Sequence, residues 1–117
     1  MKEQTENFLP LAPAALHILL ALAAEDLHGY AIMQEVARQS EGVYKLGPGT
    51  LYDNLQRLLD QGLVRERGHR ASDTDSRRRY YRLSAAGRSV FAAEVKRLEN
   101  VVHEARLRLQ LPQGERT

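Results

Sequence analysis

Apolar positions fall into blocks whose spacing switches from helical to extended and back. Ala14 to Ala24 is apolar at nearly every position. That predicts a helix buried on most sides, with Pro13 in its first turn, where a missing N–H costs little. After a short turn at Glu25 to Leu27, residues Ile32, Met33, Val36 and Ala37 recur at helical spacing. They predict a second helix over His28 to Ser40, ended by Gly42. Gly29, at its start, points to a close helix–helix approach. Pro48 opens a third helix that runs to Gln61 and stops at Gly62. Leu51, Leu55, Leu58 and Leu59 form its apolar stripe. Gly49, Thr50, Asp53, Asn54, Gln56, Arg57 and Asp60 face away, and Tyr52 lies at the stripe's edge.

Two extended segments follow, Leu63 to Arg70 and Arg77 to Leu83. The turn formers Ala71 to Ser76 lie between them, a pattern that predicts a β-hairpin. Tyr80 and Tyr81 are successive strand residues and must point to opposite faces. Tyr81 shares Leu83's face and is the core residue, which leaves Tyr80 exposed. Ser84 suits the N-cap of a last helix, although Gly87 stands where a capping box would have Glu. In that helix Phe91, Val95, Leu98, Val102, Ala105 and Leu109 are spaced as an a/d seam. A helix of about 27 residues is roughly 40 Å long, more than one small domain covers. The seam therefore predicts a dimer contact, joined by Leu16, Leu19 and Leu20 of the apolar first helix. The alternative is a helix folded back on its own core. Pro112 ends the helix, and the tail beyond it is expected to be disordered.

The order helix, helix, helix, hairpin, helix is that of a winged helix-turn-helix. The fold class is mainly α with a β-hairpin wing, plus a long C-terminal dimerisation helix. Residues 1–10 form a flexible arm, 11–83 the winged-helix domain, 84–111 the dimerisation helix and 112–117 the tail. In this arrangement helix 48–61 lays its polar face in the major groove, and wing 63–83 reaches the backbone beside it. A helix start offers free N–H groups to phosphate, Asn pairs with adenine and Arg with guanine. The candidate DNA-binding residues are Gly49, Thr50, Tyr52, Asp53, Asn54 and Arg57 of the helix, with Arg70, Arg77, Arg78 and Arg79 of the wing. Tyr52 has a second reading, a ring capping the core with its hydroxyl in water.

Charge supports this geometry. The net charge of the 117 residues is only +2. Residues 65–88, however, carry eight arginines against Glu66, Asp73 and Asp75. Arginine's planar fork suits phosphates and base edges, although most charge runs are only solvated surface. The absence of Cys excludes a disulfide framework, a thiolate metal site and cysteine catalysis. His17, His28, His69 and His103 lack metal-ligand spacing, so no metal and no cofactor is expected. His17 reads as a packed interface histidine, His69 and His103 as exposed. Asp73 and Asp75 read as ordinary turn residues rather than a calcium loop. No apolar run is long enough to span a membrane, and the start MKEQTENF is not a signal peptide's basic region, so a cytoplasmic protein is expected.

The segments Leu27-His28-Gly29-Tyr30, Leu46-Gly47-Pro48-Gly49-Thr50-Leu51-Tyr52, Leu55-Gln56-Arg57-Leu58, Gly62-Leu63-Val64 and Arg77-Arg78-Arg79-Tyr80-Tyr81-Arg82-Leu83-Ser84-Ala85-Ala86-Gly87 together resemble the PadR family of transcriptional regulators over about residues 12 to 109. The resemblance implies a homodimer that represses transcription from a short inverted repeat. It implies a dimer made by the last helix and the partner's first helix. It also implies that Thr50 and Tyr52 lie on the recognition helix and Arg77 to Arg79 on the wing. The length resembles the short subgroup, without the extra C-terminal domain. Some short members bind planar drugs in a tryptophan-lined pore at the dimer centre. This chain has no Trp, and the analogy leaves a small aromatic effector as a partner there.

Two other functions compete. A winged helix devoted to protein contacts is kept open by Asp53 and Asp60, whose carboxylates repel phosphate. An enzyme is not supported, because the sequence has no nucleophile elbow, phosphate loop, metal set or paired acid and base.

Overall fold

The computed structural model describes residue 5, residues 7–67 and residues 79–114. Among the described residues the main elements follow in the order α1 (Pro13–Leu22), β1 (Leu27–His28), α2 (Gly29–Gln39), α3 (Pro48–Asp60), β2 (Val64–Arg67), β3 (Tyr80–Leu83) and α4 (Ala85–Leu109). Each helix starts where a local device permits it. Pro residues occupy the first turns of α1 and α3. His28 caps α2 by accepting the Ala31 N–H at its Nδ1, 3.2 Å away. Ser84 caps α4 by accepting the Gly87 N–H at 2.9 Å.

The core forms where α1, α2 and α3 bring their apolar faces together. Ile18, Leu19, Leu22, Ile32, Val36, Leu51, Leu55 and Leu58 are all buried there. The predicted stripe of α3 thus faces inward. Burying a side chain of this kind stabilises by about 1.5–3 kcal/mol each. β3 lies between β1 and β2, antiparallel to both. β1 is a correction to the expected turn, because Leu27 and His28 pair with Tyr81 and Tyr80. The strand is two residues long, too short to show alternation. The hairpin's outer part, including Arg70 and Arg77 and its expected tip, lies outside the described residues.

Three elements meet at one junction. Gly62, with φ at +76°, ends α3. The Gly62 N–H bonds to Leu59 O and the Leu63 N–H to Leu58 O, each at 3.0 Å, the paired closure of a Schellman motif. The Leu63 carbonyl accepts the Ser84 N–H at 3.1 Å, and the Ser84 hydroxyl donates to the Gly62 carbonyl at 2.7 Å. Gly87 completes the junction. A Cβ there would sit 2.0 Å from the Leu63 carbonyl oxygen, so Glu, the capping-box residue, has no room.

The arm expected to be loose is docked at its near end. Phe8 and Leu9 pack on the core, and the Leu11 N–H donates to Glu94 Oε2 at 2.9 Å. Glu94 of α4 is fully buried and also accepts from Arg97, whose Nη2 lies 3.1 Å from Oε2. The Arg97 hydrogen bonds hold the Glu94 carboxyl below the ordinary carboxylate range, with help from the Leu11 N–H, against burial, which pushes it up. α4 ends at Leu109, before the expected Pro112, because Gln110 is left-handed at φ 58°. The first tail residues fold back, with Arg106 Nη1 donating to the Pro112 carbonyl at 2.6 Å.

Gly87→Ala should destabilise by roughly 1–3 kcal/mol, since two backbone segments must separate; urea unfolding at fixed pH measures it. Glu94's folded value lies below its unfolded one of about 4.3, so its contribution is present above that value and lost as pH falls through the folded one. Glu94→Gln should therefore cost about 1.5–3 kcal/mol at pH 7. It should also flatten the acid limb of a plot of stability against pH.

Candidate nucleic-acid interface

The start of α3 is open to solvent. Gly47 precedes it in an extended conformation, no side chain caps it, and Pro48 takes the first position. A helix start leaves its first N–H groups without intrahelical partners and carries positive dipole charge, which favours an anion. Gly49, Thr50, Asp53 and Arg57 are exposed around it, as predicted. Asn54 is half-buried and turns its amide back to the Thr50 carbonyl at 2.8 Å. Gln56 likewise donates to Asp60 at 2.9 Å.

Tyr52 lies at the edge of α3's inward face, and its hydroxyl is turned to the start of α2 rather than to water. Its side is half exposed, yet its hydroxyl sits against the backbone of Gly29, where a Cβ would lie 2.3 Å from the oxygen. The close approach expected at Gly29 is thus between the start of α2 and the Tyr52 ring. This contact helps set the angle of α3 on α2.

The wing divides its arginines. Alternation along β2 and β3 buries Val64, Tyr81 and Leu83 and turns Arg65, Arg67, Tyr80 and Arg82 outward. Burial is the main cause that raises the Tyr81 hydroxyl above its ordinary range, with the Glu66 carboxylate adding to it. Tyr80 is half-buried rather than exposed. Arg67 lies over its ring at 4.2 Å, and His28 meets it edge-on at 5.5 Å. Arg67 also pairs with Asp26, Nε to Oδ2 at 3.1 Å, and its side chain is only 11% exposed. It is therefore part of the structure rather than a free surface charge. Arg79 is exposed, with a long 3.5 Å contact to Glu66. Arg70, Arg77 and Arg78 lie outside the described residues.

The seam residues of α4 emerge progressively from the core. Phe91 packs on it, Leu98 is half-buried, and Val95, Val102, Ala105 and Leu109 are exposed. In α1, Leu20 is exposed and Leu16 half-buried. Leu19 is a correction, since it is fully buried inside its own core and has no surface to give a partner. His17 stacks on Tyr44 with ring centres 4.4 Å apart. Among the described residues, no cluster of three His, Cys, Asp or Glu side chains is placed to hold a metal, and no helix is long and apolar enough to cross a membrane. Sequence reasoning missed Asp26, which reads as a turn residue, and Glu94. Glu94's signal was its place between Phe91 and Leu98 at helical spacing, on the inward side.

A three-helix core with a hairpin against it and a long last helix is the architecture of a winged-helix transcriptional regulator. Residues 18–93 match the sequence model of the transcriptional regulator PadR-like family. The chain belongs to that family, and so is a regulator of transcription rather than an enzyme. Transcriptional regulator Rv3488 of Mycobacterium tuberculosis is 37% identical over 93 residues, covering 80% of this chain and 82% of that protein. A PadR family transcription regulator from Clostridium difficile superposes with a TM-score of 0.68 at 20% identity, over 85% of this chain and 99% of that one. Bacillus subtilis PadR in complex with operator DNA superposes with a TM-score of 0.63 at 21% identity, over 74% of this chain and 48% of that one.

Two wing arginines, Arg67 and Arg79, should separate by experiment. Arg67→Ala should lower stability by about 1–3 kcal/mol, because it removes the 3.1 Å ion pair with Asp26 and the packing over the Tyr80 ring. Arg79→Ala should stay within about 0.5 kcal/mol. Thermal melts of both variants check this.

Proposed function

We propose that the chain is a homodimeric repressor that binds an inverted-repeat operator through α3 and the wing. The observation that carries this reading is the outward polar face of α3, with its uncapped start, beside a wing that projects arginine. Thr50, Tyr52 and Arg57, with the N–H groups near Gly49, contact the duplex from the helix. Asp53 and Asn54 face base edges, where a carboxylate accepts from cytosine and an amide pairs with adenine. Arg70, Arg77, Arg78 and Arg79 contact phosphates from the wing. Two copies join through Val95, Leu98, Val102, Ala105 and Leu109, with Phe91 at the inner end, against Leu16 and Leu20 of the partner. The exposed valines and leucines on α4 support that pairing, because the apolar stripe exceeds what the protomer covers. A small aromatic effector has its place along this seam, in an open cleft of about 520 Å³ lined by Val95, Leu98, Val102, His103 and Arg106.

A gel shift with the chain's own upstream DNA at several salt concentrations tests the reading. Affinity should fall with a log–log slope of about −0.9 per phosphate neutralised. Reversing Arg77, Arg78 and Arg79 to Glu should abolish the shift. An unchanged affinity would instead favour a winged helix that contacts protein. Light scattering should give the mass of two chains, and Val102→Asp with Leu109→Asp should reduce it to one.

A further inference from the structure

The outward face of the wing sheet concentrates like charge. Arg65 lies opposite Arg82, and Arg67 lies next along the strand, opposite Tyr80. Like charges directly across two strands repel and destabilise the pair. Asp26, immediately before β1, reaches across to this face. Its Oδ2 is 3.1 Å from Arg67 Nε and its Oδ1 is 3.9 Å from Arg82 Nε. The Asp26 side chain is 21% exposed, Arg67 11% and Arg82 55%. One carboxylate therefore engages two of the three guanidiniums on the face, one of them nearly buried. A phosphate approaching Arg67 or Arg82 at the base of the wing meets a group that Asp26 already engages.

We propose that Asp26 is a positioning residue for DNA recognition: it withholds Arg67 and Arg82 from backbone phosphates and fixes the base of the wing. Phosphate contacts carry no sequence information by themselves. Each guanidinium withheld lowers affinity for every duplex alike. What remains depends more on α3 and the outer wing, so discrimination rises. Asp26 thereby contributes to specificity without touching DNA. The inference rests on the DNA-binding reading above.

The test measures binding of the full chain to its upstream DNA and to an unrelated duplex of equal length, across a salt series. The parent chain, Asp26→Asn and Asp26→Glu are compared. Asp26→Asn should bind the unrelated duplex about eightfold tighter at 0.1 M salt for each guanidinium released. Its slope should steepen by about 0.9 for each guanidinium released. The ratio of operator to unrelated affinity should fall, and Asp26→Glu should restore the parent values. A parallel loss on both duplexes with an unchanged slope would show a merely structural role and overturn the proposal, as would no change on either. Arg82→Gln in the otherwise unaltered chain guards against poor folding of the Asp26 variants. Its slope should equal the parent's, and a slope shallower by about 0.9 would overturn the proposal. A parent chain that binds neither duplex in a salt-dependent way defeats the DNA reading itself, a result distinct from all of these.

Discussion

The contact between the turn after α3 and the start of α4 constrains everything else in the molecule. The Gly62 and Leu63 carbonyls are both bonded by Ser84, and Gly87 leaves the Leu63 carbonyl room to approach. The end of α3, the root of the wing and the origin of the long helix are thereby held together at one junction. Backbone carbonyls at a helix end must find donors if they are buried. Here those donors come from the cap of the next helix, so satisfying one element's ends orients the other. A small shift at this point would turn α3, the wing and α4 relative to one another.

A second set of contacts trims this frame. Tyr52 rests on Gly29, which fixes α3 against α2. Asp26, Arg67 and Tyr80 tie the wing to the turn before α2. Glu94, bonded to Leu11 and Arg97, ties the N-terminal segment to α4. All three sets link parts distant in sequence through one polar or aromatic side chain. In a chain of 117 residues the apolar core is small, and such ties give rigidity that the core alone does not supply.

Much of the fold could be read in the sequence because periodicity reports burial. The stripe Leu51, Leu55, Leu58 faces the core as predicted, Tyr81 is inside, Gly62 stops its helix and Ser84 caps the next. The parts that escaped were set by long-range pairing. β1 is too short to carry a pattern. Leu19 and Leu20 are adjacent in a helix apolar at nearly every position, so nothing local says that one is core and the other is surface. Arg67 and Arg79 look alike among the wing arginines, and contacts with Asp26 and Tyr80 make Arg67 structural. Glu94 is a carboxylate on the inward side of α4, and its partner N–H belongs to Leu11, 83 positions earlier. At the candidate interface, α3's outward residues were legible, because they are what an inward stripe leaves over.

The functional account comes down to two copies of α3 presented together to one side of a double helix. Hydroxyl-radical footprinting of the chain on its upstream DNA tests this most directly. The account predicts two protected backbone patches on the same face of the duplex, about 10–10.5 base pairs apart or a multiple of that spacing. A single isolated patch, or uniform protection without that period, would contradict it.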